Sequence, residues 1–136
     1  MKMGMGLRIS IVDRDMILSA AAASPEREVC GLLLGAGLTV ARVVPCRNVA
    51  SDPARRFEID PAALLAAHRA ARSGAPAVIG HYHSHPVGRA APSPRDAADA
   101  APDGSIWVIV ADGVMTAWRA VRAGALHDRF DPLAIG

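Results

Sequence analysis

Glu28-Val29-Cys30-Gly31-Leu32-Leu33-Leu34-Gly35 is a near-continuous apolar run of strand length, and its reading decides the architecture. A strand apolar on both faces belongs in the middle of a sheet. Gly35-Ala36-Gly37 is a turn, and Leu38 to Val44 reads as the strand that returns beside the first. Upstream, Leu7 to Val12 reads as a short strand, and Asp13 as the N-cap of a helix that runs to Ser24 and stops at Pro25. Downstream, Pro45 to Arg56 is polar and irregular, and Phe57-Glu58-Ile59 reads as a short strand. Asp60-Pro61 then opens a helix that Gly74 closes. Ala77 to Tyr82 reads as a buried strand, and Ser93-Pro94-Arg95-Asp96 opens a short helix through Ala101. Asp112-Gly113 is a two-residue hairpin signal between Ile106–Val110 and Val114–Ala120, which sets Trp107 opposite Trp118. A last strand follows Gly124 and reaches Phe130. Three helices among about seven strands make an α+β chain, a mixed sheet flanked by helices.

The chain has 136 residues, which fits one domain spanning 1–136. At 51% hydrophobic residues and a formal charge of +2 it can bury a core, and disorder is disfavoured. The basic residues are scattered, so nothing points to nucleic acid. Fourteen of the fifteen are Arg, and 28 residues are Ala, the bias of a GC-rich bacterial genome. No apolar stretch approaches the ~18 residues of a membrane span. Met1 to Gly6 lacks the apolar region of an export leader, and two cysteines make no disulfide framework, so the expected location is cytoplasmic.

The chemistry concentrates in one segment. His81, His83 and His85 are three of the five histidines, at alternate positions where a strand ends. Residues i and i+2 on a strand share a face, so two imidazoles can aim at one point. Such a pair suits a borderline metal such as zinc, whose catalytic sites take three protein ligands and keep one position open. Asp96, at the start of the next helix, could fold back as the third ligand. Glu28 is the one carboxylate in an apolar run and calls for a partner, either a reacting group or an Arg beside a buried strand. The plainer reading stands alongside: alternate histidines occur on exposed strand faces, and Ser93 to Asp96 is also a helix N-terminus with Ser at N-cap and Asp at N3. Both readings of Ser93 can hold, since a capping oxygen keeps its own proton to donate.

Glu28 within Glu-Val-Cys-Gly-Leu-Leu-Leu-Gly, then His83-Ser84-His85-Pro86, then Ser93-Pro94-Arg95-Asp96, resembles the signature of the JAMM (MPN-plus) zinc metalloproteases. Phe57-Glu58-Ile59-Asp60-Pro61 is similar to the segment that precedes the middle helix in prokaryotic members. The resemblance runs from about Leu7 to the Asp112-Gly113 hairpin or beyond. It implies the JAB/MPN fold, related to that of cytidine deaminases. It implies one zinc per chain on His83, His85 and Asp96, with Glu28 as general base and Ser93 as hydrogen-bond donor to the oxyanion. Every catalytic position is filled, which argues against the family's inactive scaffold branch.

The family cleaves isopeptide or peptide bonds at the C-terminal tail of ubiquitin-like proteins. The spans from Cys46 to Phe57 and from Asp96 to Ser105 are too short for the insertions that grip ubiquitin, so the resemblance is to the compact prokaryotic type. It implies as partner a small ubiquitin-like or sulfur-carrier protein with a Gly-Gly tail. Two rivals remain, a non-catalytic interaction module of the same fold and a zinc hydrolase of small amides. His81 reads as a core or supporting histidine, because a fourth ligand would close the water position. Cys30 reads as a buried hydrophobe that faces about Val43 in the hairpin register, which disfavours a disulfide or zinc site with Cys46.

Overall fold

The computed structural model describes residues 6–136; the expectation that Met1–Gly6 is no leader lies, for Met1–Met5, outside the described residues. Helix α1 (Ile11–Ala22) leads into a hairpin of β1 (Cys30–Ala36) and β2 (Thr39–Cys46). Helix α2 (Pro61–Arg72), strand β3 (Ala77–Ser84) and helix α3 (Pro94–Asp99) follow. Strands β4 (Ile106–Ala111), β5 (Val114–Gly124) and β6 (Asp128–Leu133) complete the chain. The six strands form one mixed sheet in the order β2-β1-β3-β4-β5-β6, so β1 is interior as its apolar run requires. Among the paired strands of the described residues, β3 and β4 alone run parallel, and α3 lies in the crossover between them. This is the α+β sheet with flanking helices that the sequence implies.

Period-2 alternation divides the core. Ile106, Val108 and Val110 of β4 join Leu33, Tyr82 and Ile17 of α1 in one cluster. Trp107 points the other way and packs with Phe130, Phe57, Leu126 and the α3 alanine Ala97. His81 pairs with Trp107 and His83 with Ile109 across β3 and β4, so the histidines share the Trp107 face. Trp107 and Trp118 are register partners across the Asp112-Gly113 turn, as the hairpin signal requires. Among the described residues, no helix is long and apolar enough to cross a membrane.

The structure corrects five expectations. Leu7 and Arg8 make only isolated bridges, to Ile135 and Thr39, and not a strand. Helix α1 already begins at Ile11, because the Ser10 hydroxyl accepts the Asp13 N–H at 3.0 Å; Ser10 is the N-cap, and Asp13 is an acid in the first turn. In the first hairpin Cys30 pairs with Cys46, not Val43. The turn closes between Ala36 and Thr39, which moves the partner on by two, and an irregularity between Leu34 and Gly35 moves it by one more. Both thiols are nonetheless free. Burial pushes the Cys30 thiol up to about 12, the neighbouring Cys46 adding to it. Phe57–Ile59 shrinks to the single bridge of Ile59 with Asn48, and α3 stops at Asp99, short of Ala101.

The packing of β3 against β4 rests on Gly80, where a Cβ would collide with the main chain of Ile106. Main chain in a sheet cannot swing aside as a side chain can. Gly80→Ala should therefore lower stability by about 1–3 kcal/mol, the usual cost of overpacking, measured as a fall in urea midpoint. An unchanged midpoint would show that the β3–β4 spacing is adjustable.

Candidate metal centre

The site forms where β3 ends against the start of α3. His83 and Ser84 are the last pleats of β3, and His85 continues past its end with its N–H on the Val110 carbonyl at 2.8 Å. Ser84 turns away and fastens the strand to the segment that leads into β1. Its hydroxyl accepts the Val29 N–H at 2.9 Å, and its own N–H donates to the Val29 carbonyl at 3.0 Å. That lock sets Glu28, one residue before Val29, beside the histidines.

Asp96 arrives through a capping box at the head of α3. Its N–H donates to Ser93 Oγ at 3.0 Å, and the Ser93 N–H donates to Asp96 Oδ2 at 2.9 Å. The Ser93 hydroxyl accepts in this arrangement, and its own proton stays available to a further acceptor.

Three donor atoms converge. His83 Nε2 and His85 Nε2 lie 3.1 Å apart, and Asp96 Oδ2 is 3.1 Å from the second and 3.4 Å from the first. Bonds of ~2.0–2.1 Å to a tetrahedral zinc span edges of ~3.3–3.4 Å, so a triangle of these sides fits one face of its coordination shell. The tautomer fits as well. His85 Nδ1 is 2.8 Å from the Arg89 carbonyl and must donate to it, which leaves a lone pair on Nε2 in the neutral ring. A second triplet overlaps the first: ligand atoms of Glu28, His83 and His85 lie within 4.8 Å of one another. The shorter distances belong to the Asp96 triplet, and the site as a whole can hold a metal ion. Among the described residues this cluster takes in no cysteine, so Cys30 and Cys46 stand apart from it even though they pair.

Burial governs the electrostatics. Glu28 is 5% exposed, and its carboxyl is pushed up to about 7 by that burial, with His85 opposing and Asp96 and Asp52 adding to the rise. Burial also works against ionisation of Asp96. The hydrogen bonds from His83 and His85 outweigh it and hold that carboxyl well below the usual range. His83, fully buried, is lowered by its burial in spite of Asp96. His85 is raised, because Asp96 and the Arg89 carbonyl outweigh its desolvation. Among the described residues, Glu28 Oε1 and His83 Nδ1 are buried polar atoms with no hydrogen-bond partner.

Two supporting residues carry little signal in the sequence. Phe57, legible only as part of a short strand, stacks on the His83 ring at 4.2 Å and 19°. Asn48 lies in the irregular stretch. Its amide donates to the carbonyls of Glu28 (3.0 Å) and Arg56 (3.1 Å) and accepts the N–H groups of Ala50 and Glu58. An amide using all its capacity ties that loop to the main chain of Glu28. The only sequence hint is an Asn in a polar loop. His81 lies beneath His83 against Trp107 and Phe57, with burial lowering it to about 3, and is not among the converging donors.

The sequence profile described as prokaryotic homologs of the JAB domain matches residues 13–122. The chain is 39% identical over 111 residues to the desampylase of Haloferax volcanii, covering 76% of this chain and 80% of that protein. It is 44% identical over 61 residues to a probable TtuB-protein conjugate cleaving protease of Thermus thermophilus, 45% of this chain and 41% of that one. The crystal structure of a JAB1/MPN domain protein from Archaeoglobus fulgidus superposes with a TM-score of 0.60 at 19% identity, covering 98% of this chain and all (100%) of that one, a likeness of fold alone. The chain belongs to the prokaryotic JAB domain family, as the JAMM resemblance implies.

The raised Glu28 carboxyl has a consequence for stability. Between about 4.5 and 7 the folded state keeps a proton that the unfolded chain releases, so stability is lost as pH rises through that window. In protein stripped of metal by chelation, Glu28→Gln should melt higher than wild type above pH 7, with a gain of up to about 3 kcal/mol that fades toward pH 4.5. A variant that is less stable at pH 8 would mean that Glu28 is paired and not stranded.

Proposed function

We propose that this chain is a zinc metallopeptidase that hydrolyses an isopeptide or peptide bond at the C-terminal tail of a small ubiquitin-like or sulfur-carrier protein. The observation that carries this reading is the triangle of His83, His85 and Asp96 atoms at 3.1–3.4 Å with a buried, unpartnered Glu28 oxygen beside it. His83 Nε2, His85 Nε2 and Asp96 Oδ2 would hold one zinc. When bound, zinc supplies Lewis acidity toward the scissile carbonyl and acidifies water. Glu28, buried beside the ligand atoms, would take the proton of the attacking water and return it to the leaving amine. Ser93 directs its free hydroxyl proton at the oxyanion. Ser84, Asn48 and Phe57 hold these groups in place.

The names borne by the relatives support a conjugate or tail of a small protein as substrate. The filled ligand and base positions weigh against the non-catalytic module.

Zinc stoichiometry and cleavage of a carrier extended beyond Gly-Gly, measured on one sample, test the reading. Asp96→Ala should purify without zinc, whereas loss of a helix cap alone costs only ~0.5–2 kcal/mol and leaves metal in place. Full occupancy by elemental analysis would sink the ligand assignment. Glu28→Gln should keep its zinc and lose turnover by ~100–10,000-fold. Wild-type turnover in a zinc-loaded Glu28→Gln sample would remove Glu28 from the chemistry. Hydrolysis of small amides with no carrier cleavage would favour the amidohydrolase.

A further inference from the structure

The reading above leaves the leaving group undefined, and a second cavity bears on it. Two clefts meet at His85, Val87 and Ser93. The one of about 660 Å³ contains Glu28, Ala54 and Arg55. The one of about 420 Å³ lies between the loop 87–92 and the β5–β6 hairpin, walled by Trp118, Leu126 and His127 opposite Val87, Ala91 and Pro92. This smaller cavity is built and not incidental. The Trp118 indole N–H donates to Thr116 Oγ1 at 2.9 Å, and that hydroxyl donates to the Ala90 carbonyl at 2.6 Å. His127 Nε2 donates to the Pro92 carbonyl at 3.0 Å. His127 and Asp128 hold φ values of 51° and 59°, left-handed positions in which His and Asp are enriched, at the turn between β5 and β6. The loop is thereby pinned at two carbonyls from the hairpin and at a third, Arg89, from His85.

We propose that this cavity is a specificity pocket for an apolar side chain on the residue that leaves, the one joined by its amine to the carrier's terminal glycine. The inference rests on the tail-cleaving reading. A tail ending in two glycines has no side chain to fill a walled pocket beside the reacting bond, whereas a leaving residue does. The pocket opens directly on His85 and Ser93, so a group seated in it lies next to the bond. Its lining joins the apolar Trp118, Leu126, Val87, Ala91 and Pro92 with Arg89 and His127 and holds no carboxylate, which selects an apolar side chain over a lysine-like one. Trp118 is held by its indole N–H and presents its ring as a fixed surface.

The test uses zinc-loaded protein and carriers ending in Gly-Gly-Leu, Gly-Gly-Ser and Gly-Gly-Lys, beside the free amine leucine amide as a probe that needs no turnover. Leu should exceed Ser and Lys in kcat/KM by roughly tenfold or more. Trp118→Ala and Leu126→Ala should shrink that ratio. Leucine amide, and not serine amide, should shift the Trp118 indole signal of 15N-labelled protein while leaving Trp107 unmoved. Equal rates for the three carriers, a preference residing in the residue before Gly-Gly, or an indole signal that leucine amide leaves in place would each overturn the pocket. Should no carrier be cleaved while leucine amide still moves Trp118, the pocket stands and the carrier reading falls.

Discussion

One carboxylate oxygen, Asp96 Oδ2, joins the fold to the site. It accepts the Ser93 N–H that starts α3, and it stands against both histidine nitrogens that end β3. A helix of six residues has no independent stability in water, so α3 depends on its cap and on what it packs against. The same atom that satisfies the helix start therefore fixes where the helix sits relative to the sheet. A shift of α3 by even an ångström would open the triangle. Conversely, any cation that draws the three donors together would tighten the cap, so metal affinity and local order at residues 93–99 are coupled.

Glu28 sits under an opposite constraint. It precedes the central strand, where the surroundings are apolar, and its main chain is gripped from three directions. Its N–H donates to the Pro53 carbonyl at 2.7 Å, its carbonyl accepts from Asn48, and its neighbour Val29 is locked to Ser84. A gripped backbone with a desolvated carboxyl is the arrangement that moves an acid toward neutrality. Asp96, also buried, is moved the other way by its hydrogen-bond partners. Two carboxyls of one site pushed apart by environment give one fixed charge and one group able to take up and release a proton.

The parts legible in the sequence were those set by local rules. The two-residue period placed His83 and His85 on one face, Ser-Pro-x-Asp announced the capping box, and Asp112-Gly113 fixed the register of the tryptophans. The apolar run of β1 announced its interior place. What escaped depended on the count of residues in a turn or on partners far along the chain. A turn one residue later and one irregularity displaced the partner of Cys30 by three. The four bonds of Asn48 join residues 28, 50, 56 and 58, a convergence with no period and no local signature. Phe57 on His83 is likewise a contact between segments that only the folded sheet brings together. At the N-terminus the helix starts three residues earlier than an Asp13 cap implies, because the Ser10 hydroxyl accepts the Asp13 N–H.

The plain structural account of Glu28, an ion pair beside a buried strand, fails on the geometry. Among the described residues the ion pairs are those of Asp96 with the two histidines, and no Arg or Lys reaches Glu28. Its Oε1 is buried without a partner, and so is Nδ1 of His83. Stranding a buried polar atom costs about 1–3 kcal/mol. A leucine or methionine at position 28 would remove that cost, and the apolar run around it shows that such residues suit the strand. A protein that keeps an unpaired carboxyl there, while satisfying Asn48 completely a few ångströms of chain away, is distributing its polar groups unevenly. Asn48 holds the scaffold, and the unpartnered Glu28 oxygen stands beside the converging donors, while further unpartnered atoms lie at Arg14, Arg56, His81 and Arg129. A carboxyl kept without a partner where metal-ligating atoms converge, at the head of an apolar strand that an apolar residue would suit better, fits a position held for its chemistry.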